Sequence, residues 1–309
     1  MPLDRFARRF LDLTGAGARG RAGEPTPAEM RQAITDLAAF AGAPPAGERG
    51  ARDIALPGTV IPARVYSPFA PSSPTLPGLV YFHGGGWLSG GLASHEAICR
   101  ALAGEGGCRV VAVDYRLAPE HRFPAAIEDC RAAVASVAAH AAAFGIDPAR
   151  LGVAGDSAGG NLAVVVCQLA REGGPKIALQ ALLCPVMDAL GHTASRRALG
   201  SGHFLEERTM VRYWENYRVE GLDPDDPMVS PLRARDFAGL PPAVIHTAEY
   251  DPLCEEGALY ARELARAGVA VRHCQHPGMI HHFYGLGGAI PYAATAWAAI
   301  GADIRAAFA

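Results

Sequence analysis

A chain of 309 residues, 50% of them hydrophobic, is long enough to bury one large core. A net charge of −3, a pI of about 6.4 and the lack of a basic run exclude nucleic acid as an expected partner. Seven scattered cysteines without a C-x-x-C pair read as small core thiols. The charged start at Asp4, Arg5, Arg8 and Arg9 and the absence of a long apolar run predict no signal peptide and no membrane span, hence a cytoplasmic protein.

Residues 1–45 hold a good helix start at Pro25-Thr26-Pro27 and end in a Gly-Ala-Pro-Pro linker. Strand patterns over 53–57 and 61–67, joined by Gly58-Thr59, predict an antiparallel edge hairpin. Further strands are expected at 78–83, 108–114, 150–155, 178–185, 241–248 and 269–275. Helices are expected at 93–104, 124–143, 159–172, 254–267 and 292–307. The later strands are apolar on both faces, as a parallel sheet covered by helices requires, so the class is α/β with eight strands, mostly parallel. Residues 188–235 interrupt the alternation with a helical stretch over Phe204–Trp214, then a loop rich in Asp and Pro. Because such sheets carry ligands at their strand ends, 1–45 and 188–235 are expected to cap a core made of 46–187 and 236–309, all one integrated unit.

The segment Gly155-Asp156-Ser157-Ala158-Gly159 sets a serine between two glycines, between a strand and a helix. That is the context in which a serine hydroxyl is thrust out over the strand ends as a nucleophile. A nucleophile needs oxyanion donors, a base and a group to orient the base. His83-Gly84-Gly85-Gly86-Trp87 follows an early strand, and its glycines can turn their N–H groups toward one point. Gly84 and Gly85, with Ala158, are the expected donors, and His83 is expected to hold the loop. Downstream, Asp251 closes a late strand, where it suits both an orienting acid and a helix cap, with Glu249 as the fallback. Three histidines follow. His276 precedes a Pro-Gly turn and is too early to reach across, while His281 and His282 lie beyond it, and the residues by themselves do not choose between those two.

Taken together, HGGGW at 83–87, Asp114-Tyr115-Arg116-Leu117-Ala118-Pro119-Glu120, GDSAGG at 155–160, Asp251-Pro252-Leu253 and Ile280-His281-His282-Phe283 resemble the hormone-sensitive-lipase-like, or bacterial family IV, branch of the α/β-hydrolases. The likeness runs from about residue 45 to the C-terminus. It implies the α/β-hydrolase fold with a helical cap, and Ser157, Asp251 and His281 as nucleophile, acid and base. That family usually has glycine after the histidine, where this chain has His282, which suggests a bulkier wall there. Trp87, Phe204, Tyr213, Trp214 and His282 are the expected substrate contacts, and Asp114 and Arg116 are expected to be structural.

The implied activity is a carboxylesterase acting on short- to medium-chain esters, with no metal or organic cofactor. Its expected partners are a small-molecule ester and, as an option, a second copy in a homodimer. The same site could serve an amidase, a deacetylase or a carboxylesterase-like dehydratase, since fold does not fix substrate. A non-catalytic ligand receptor of this family would lack the base, and His281 speaks against it.

Overall fold

The computed structural model describes residues 1–18, 24–42, 51–68, 71 and 73–309. Among them the chain begins with two helices, α1 (Arg5–Ala18) and α2 (Pro27–Ala41). Thr26 caps α2 with its hydroxyl on the Glu29 N–H while Glu29 reaches back, and Pro27 takes the first turn, where no N–H is needed. Residues 43–45 of the expected linker lie outside the described residues.

Strands β1 (Ala51–Ala55), β2 (Pro62–Tyr66), β3 (Leu76–Phe82), β4 (Arg109–Val113), β5 (Ile146–Asp156), β6 (Gln180–Leu183), β7 (Ala243–Tyr250) and β8 (Val271–Ile280) form one sheet in the order β1-β2-β4-β3-β5-β6-β7-β8. The β1–β2 and β2–β4 pairs are antiparallel and the rest parallel. Helices α4 (Ala125–Ala139), α5 (Ala158–Arg171) and α8 (Cys254–Arg266) build an apolar layer on one face, while α3 (Glu96–Gly106) and α9 (Tyr292–Phe308) build it on the other. Residues 158–167 of α5 are buried all round, so this helix is apolar on every side.

Several expectations change: β5 begins at Ile146 rather than 150, and α4 ends at Ala139 rather than 143. The last strand does not stop at 275 but runs to Ile280 through Pro277 and Gly278. As the final strand in the sheet order, β8 has an open edge that tolerates a missing N–H, and Gly278, at φ 72°, absorbs the register shift opposite β7. Between β6 and β7 there are two helices rather than one stretch, α6 (Ala194–Leu199) and α7 (Glu207–Tyr217). The short α6 is anchored by a fully buried pair, Arg196 Nε to Glu256 Oε1 at 2.7 Å, with Glu256 Oε2 also accepting the Met187 and Asp188 N–H groups.

Candidate active site

Strand β5 ends at Asp156 and α5 begins at Ala158, leaving Ser157 alone at the turn with φ 51° and ψ −120°. An L-residue rarely accepts that backbone, and such strain collects at functional sites. The turn is held tight by the Ser157 N–H donating to Leu183 O at 2.9 Å. It is also closed to side chains: a Cβ on Gly155 would stand 2.2 Å from Gly159 O, and one on Gly159 would stand 2.0 Å from Phe82 O.

The carboxyl ends of β7 and β8 deliver the partners. His281 Nδ1 donates to Asp251 Oδ2 at 2.7 Å, which leaves Nε2, 3.2 Å from Ser157 Oγ, as the acceptor for the serine proton. Asp251 is fully buried, and its Oδ1 accepts the Leu253 N–H at 2.9 Å just ahead of α8, so the expected side-chain cap is not formed: Leu253 itself is the N-cap, and the carboxylate is left to hold the imidazole. The Cys184 thiol, which sequence reasoning placed only among the core cysteines, also lies against Asp251, and burial beside that carboxylate pushes its pKa well up. Glu249 is engaged elsewhere, taking the N-terminal ammonium at 2.5 Å and the Gly278 N–H at 2.7 Å.

The oxyanion loop requires a correction. Gly84 N–H donates to Asp156 Oδ1 at 2.8 Å and is spent on that buried carboxylate. Gly85 and Gly86, both at positive φ, donate to no group among the described residues, and Ala158 sits in the first helical turn, where N–H groups lack an intrahelical acceptor. The available donors are therefore Gly85, Gly86 and Ala158. His83 supports the loop: its Nδ1 pairs with Gly84 O at 2.8 Å and its ring stacks on Tyr115 at 4.3 Å. Tyr115 OH donates to His83 O at 2.6 Å. Burial, with His95 close by, pushes the His83 pKa down to about 3, so the ring is neutral.

Asp156 has no role assigned in the sequence motif, although an acid at the end of an apolar strand is a signal in itself, because a buried charge must be paired. Tyr81 OH donates to its Oδ1. Its Oδ2 faces His95 Nε2 at 3.6 Å and His282 Nδ1 at 3.5 Å. Burial by itself would raise this carboxyl, but the neighbouring imidazoles outweigh it and hold the pKa well below the ordinary range. His282 thus joins Asp156 rather than the line through Ser157. It packs on His95 and Tyr284 and takes φ 62°, the left-handed backbone at which a glycine is at ease. Two metal-sized clusters occur here, His95–Asp156–His282 and Cys184–Asp251–His281, each with its donor atoms within 4.8 Å of one another.

Above the loop, the Tyr213 ring lies so close that a Cβ on Gly86 would stand 2.0 Å from its Cγ. Trp87 stacks on Tyr217 at 4.6 Å, and Trp87 and Trp214 are both buried in the core. Phe204, at φ 79°, packs on Phe10 of α1 at 5.5 Å. The loop beneath is pinned from α2 by Arg31, which donates to Leu88 O at 2.9 Å and Ala118 O at 2.8 Å. Arg116 ties Asp129 of α4 at 2.8 Å, as a structural residue does, whereas Asp114 stays exposed and its backbone N–H donates to Pro62 O at 2.9 Å.

A family model described as an alpha/beta hydrolase fold matches residues 79–285. The carboxylic ester hydrolase LipN of Mycobacterium tuberculosis is 44% identical over 243 residues, 76% of this chain and 64% of LipN, so the chain spans just under two thirds of that relative. Ethyl acetate hydrolase of Pseudomonas putida is 38% identical over 290 residues, covering 92% of this chain and 84% of its own. Among solved structures, an ester hydrolase from the Lake Arreo metagenome, in complex with a bipyridine phosphonate derivative, superposes with a TM-score of 0.93 at 41% identity over 99% of both chains.

Proposed function

The chain belongs to the α/β-hydrolase fold family, in its hormone-sensitive-lipase-like branch, and is a carboxylesterase; on that premise we propose that it cleaves short- to medium-chain esters by acyl transfer through Ser157, His281 and Asp251. The observation that carries this reading is the unbroken line from Asp251 Oδ2 through His281 to Ser157 Oγ, with steps of 2.7 Å and 3.2 Å.

In the first half-reaction His281 Nε2 takes the Ser157 proton as Oγ attacks the ester carbonyl, and Asp251 stabilises the imidazolium without taking the proton. The tetrahedral oxyanion is received by the N–H groups of Gly85, Gly86 and Ala158. His281 then returns the proton to the leaving alcohol, and a water repeats the sequence on the acyl-enzyme.

The cap is read as the described parts of 1–45 together with 188–235. Two contacts support it: Phe10 on Phe204, and Glu24 paired with Arg212. Tyr213, from the same cap, overhangs the oxyanion loop and bounds the substrate space. A short acyl group agrees with the name of the ethyl acetate hydrolase relative. No helix among the described residues is long and apolar enough to cross a membrane. The seven cysteines are all free thiols, which favours a reducing, cytoplasmic setting.

A panel of p-nitrophenyl esters from acetate to laurate tests the reading. The expected preference is for acyl chains of about eight carbons or fewer, with no turnover by Ser157→Ala. A maximum at laurate refutes the chain length, and full activity in Ser157→Ala refutes the nucleophile.

A further inference from the structure

Away from the serine, the strand pair that carries the acid and the base holds an unusual set of side chains. His246 of β7 and Cys274 of β8 are direct cross-strand partners, and His276 lies two residues after Cys274. With a period of two, all three project from one face of the sheet, toward α9. One nitrogen of each imidazole and the Cys274 sulfur lie within 4.8 Å of one another.

The two imidazoles confront each other, His246 Nδ1 to His276 Nε2 at 2.9 Å. Their outer nitrogens are backed by oxygens: Tyr292 OH is 3.2 Å from His276 Nδ1, and Asp303 Oδ2 is 3.5 Å from His246 Nε2. His246 is 1% exposed, yet its Nε2 has no hydrogen-bond partner. Metal-bound histidines are commonly held with the outer ring nitrogen turned toward an oxygen; here Tyr292 stands behind His276 within hydrogen-bond reach, and Asp303 stands behind His246 at ion-pair distance.

We infer that His246, Cys274 and His276 form a binding site for a zinc-type transition-metal ion, clamping β7 to β8 behind the catalytic loops. Two nitrogens and one thiolate are the donor set of such an ion, whose bonds of about 2.0–2.3 Å place neighbouring donors roughly 3.3–3.6 Å apart. Opening the His246–His276 contact by a few tenths of an ångström satisfies that spacing. As the ion binds, the Cys274 S–H bond breaks, its proton leaves to solvent, the S–metal bond forms, and no electrons change hands. Asp303 stays behind His246 and is shared with Arg272 at 3.3 Å, the cation the metal must tolerate. His246 precedes Asp251 by five residues and His276 precedes His281 by five, so a clamp here stiffens the roots of both loops at once.

The test is a Co²⁺ titration of chelator-treated protein, read by thiolate-to-cobalt charge-transfer absorption. One saturable equivalent is expected in the wild type, with the band abolished in Cys274→Ser and affinity reduced at least ~10-fold in His276→Asn. Zn²⁺ is expected to raise the melting temperature of the wild type and to leave Cys274→Ser unmoved. Cys274 is only partly buried, so that variant is expected to fold, which circular dichroism checks. Absence of the band overturns the site. So does a band that survives Cys274→Ser but disappears in Cys184→Ser, which locates the ion at Asp251 and His281 instead.

Discussion

Asp156 and Gly84 are joined by a 2.8 Å hydrogen bond, from the Gly84 N–H to Asp156 Oδ1. The residue before Ser157 therefore braces the loop that carries the proposed oxyanion donors, linking two parts of the site 72 positions apart. Replacing Asp156 tests this coupling. Asp156→Ala is expected to lower kcat on the order of 10²-fold with little change in KM, because misplaced donors act on the transition state. Asp156→Asn keeps an acceptor oxygen and is expected to recover part of the loss. Steady-state kinetics on a p-nitrophenyl ester decide it, and wild-type kcat in the alanine variant would uncouple the two residues.

The two neighbouring histidines are expected to separate cleanly. His281→Ala removes the acceptor of the serine proton and should cost ~10⁴-fold or more in kcat. His282→Ala leaves the line through Ser157 whole and should retain most turnover. His282→Gly should be more stable than His282→Ala by about 1 kcal/mol, since φ 62° is strained for any residue with a Cβ. Chemical denaturation of the two variants measures this difference, and equal midpoints would show that the left-handed backbone carries no cost.

Gly86 offers a comparison with a control in the same chain. A Cβ at Gly86 meets the Tyr213 ring, whereas one at Gly58 has nothing within 4 Å, though both glycines are at positive φ. Both alanine variants are expected to lose about 1–2 kcal/mol of stability. Only Gly86→Ala is expected to lose turnover as well, by ~10²-fold or more through a displaced donor. Matched losses of turnover in the two variants would count against Gly86 as an oxyanion donor.

The buried anchor of α6 carries a pH signature. Burial pushes the Glu256 carboxyl up to about 7, against the pull of Arg196 and of two backbone N–H groups. A folded pKa above the unfolded one means the group favours the fold most at low pH, where it is neutral in both states. That contribution declines from about pH 4.5 as the unfolded carboxyl ionises, and it levels off above about 7. Glu256→Gln cannot titrate, so the stability of wild type minus variant should shrink across this window. Denaturation midpoints at stepped pH read the slope, and a difference that grows with pH reverses the assignment.

How much of this was legible in the chain follows from what local patterns encode. Alternation and apolar runs place the strands because a strand buried on both faces must be apolar throughout, as Leu79–Phe82 and Leu151–Ala154 are. The Gly155–Gly159 turn likewise announces Ser157, since a backbone this tight excludes side chains two positions either side. Strand ends were less legible: nothing local to Pro277 reveals that it sits on an open edge, where a missing N–H costs nothing.

By itself, then, the sequence determined the α/β class and the tight turn at Ser157, and it pointed to Asp251 and the adjacent histidines as the proposed acid and base, all of which rest on short-range periodicity and turn chemistry. Tertiary structure alone decided that the first glycine of the loop is spent on Asp156, that His282 turns to that same carboxylate, and that His246, Cys274 and His276 share one face. The reason is physical: a hydrogen bond is satisfied by whichever partner the fold brings within about 3 Å, and residues far apart in sequence carry no local mark of that meeting.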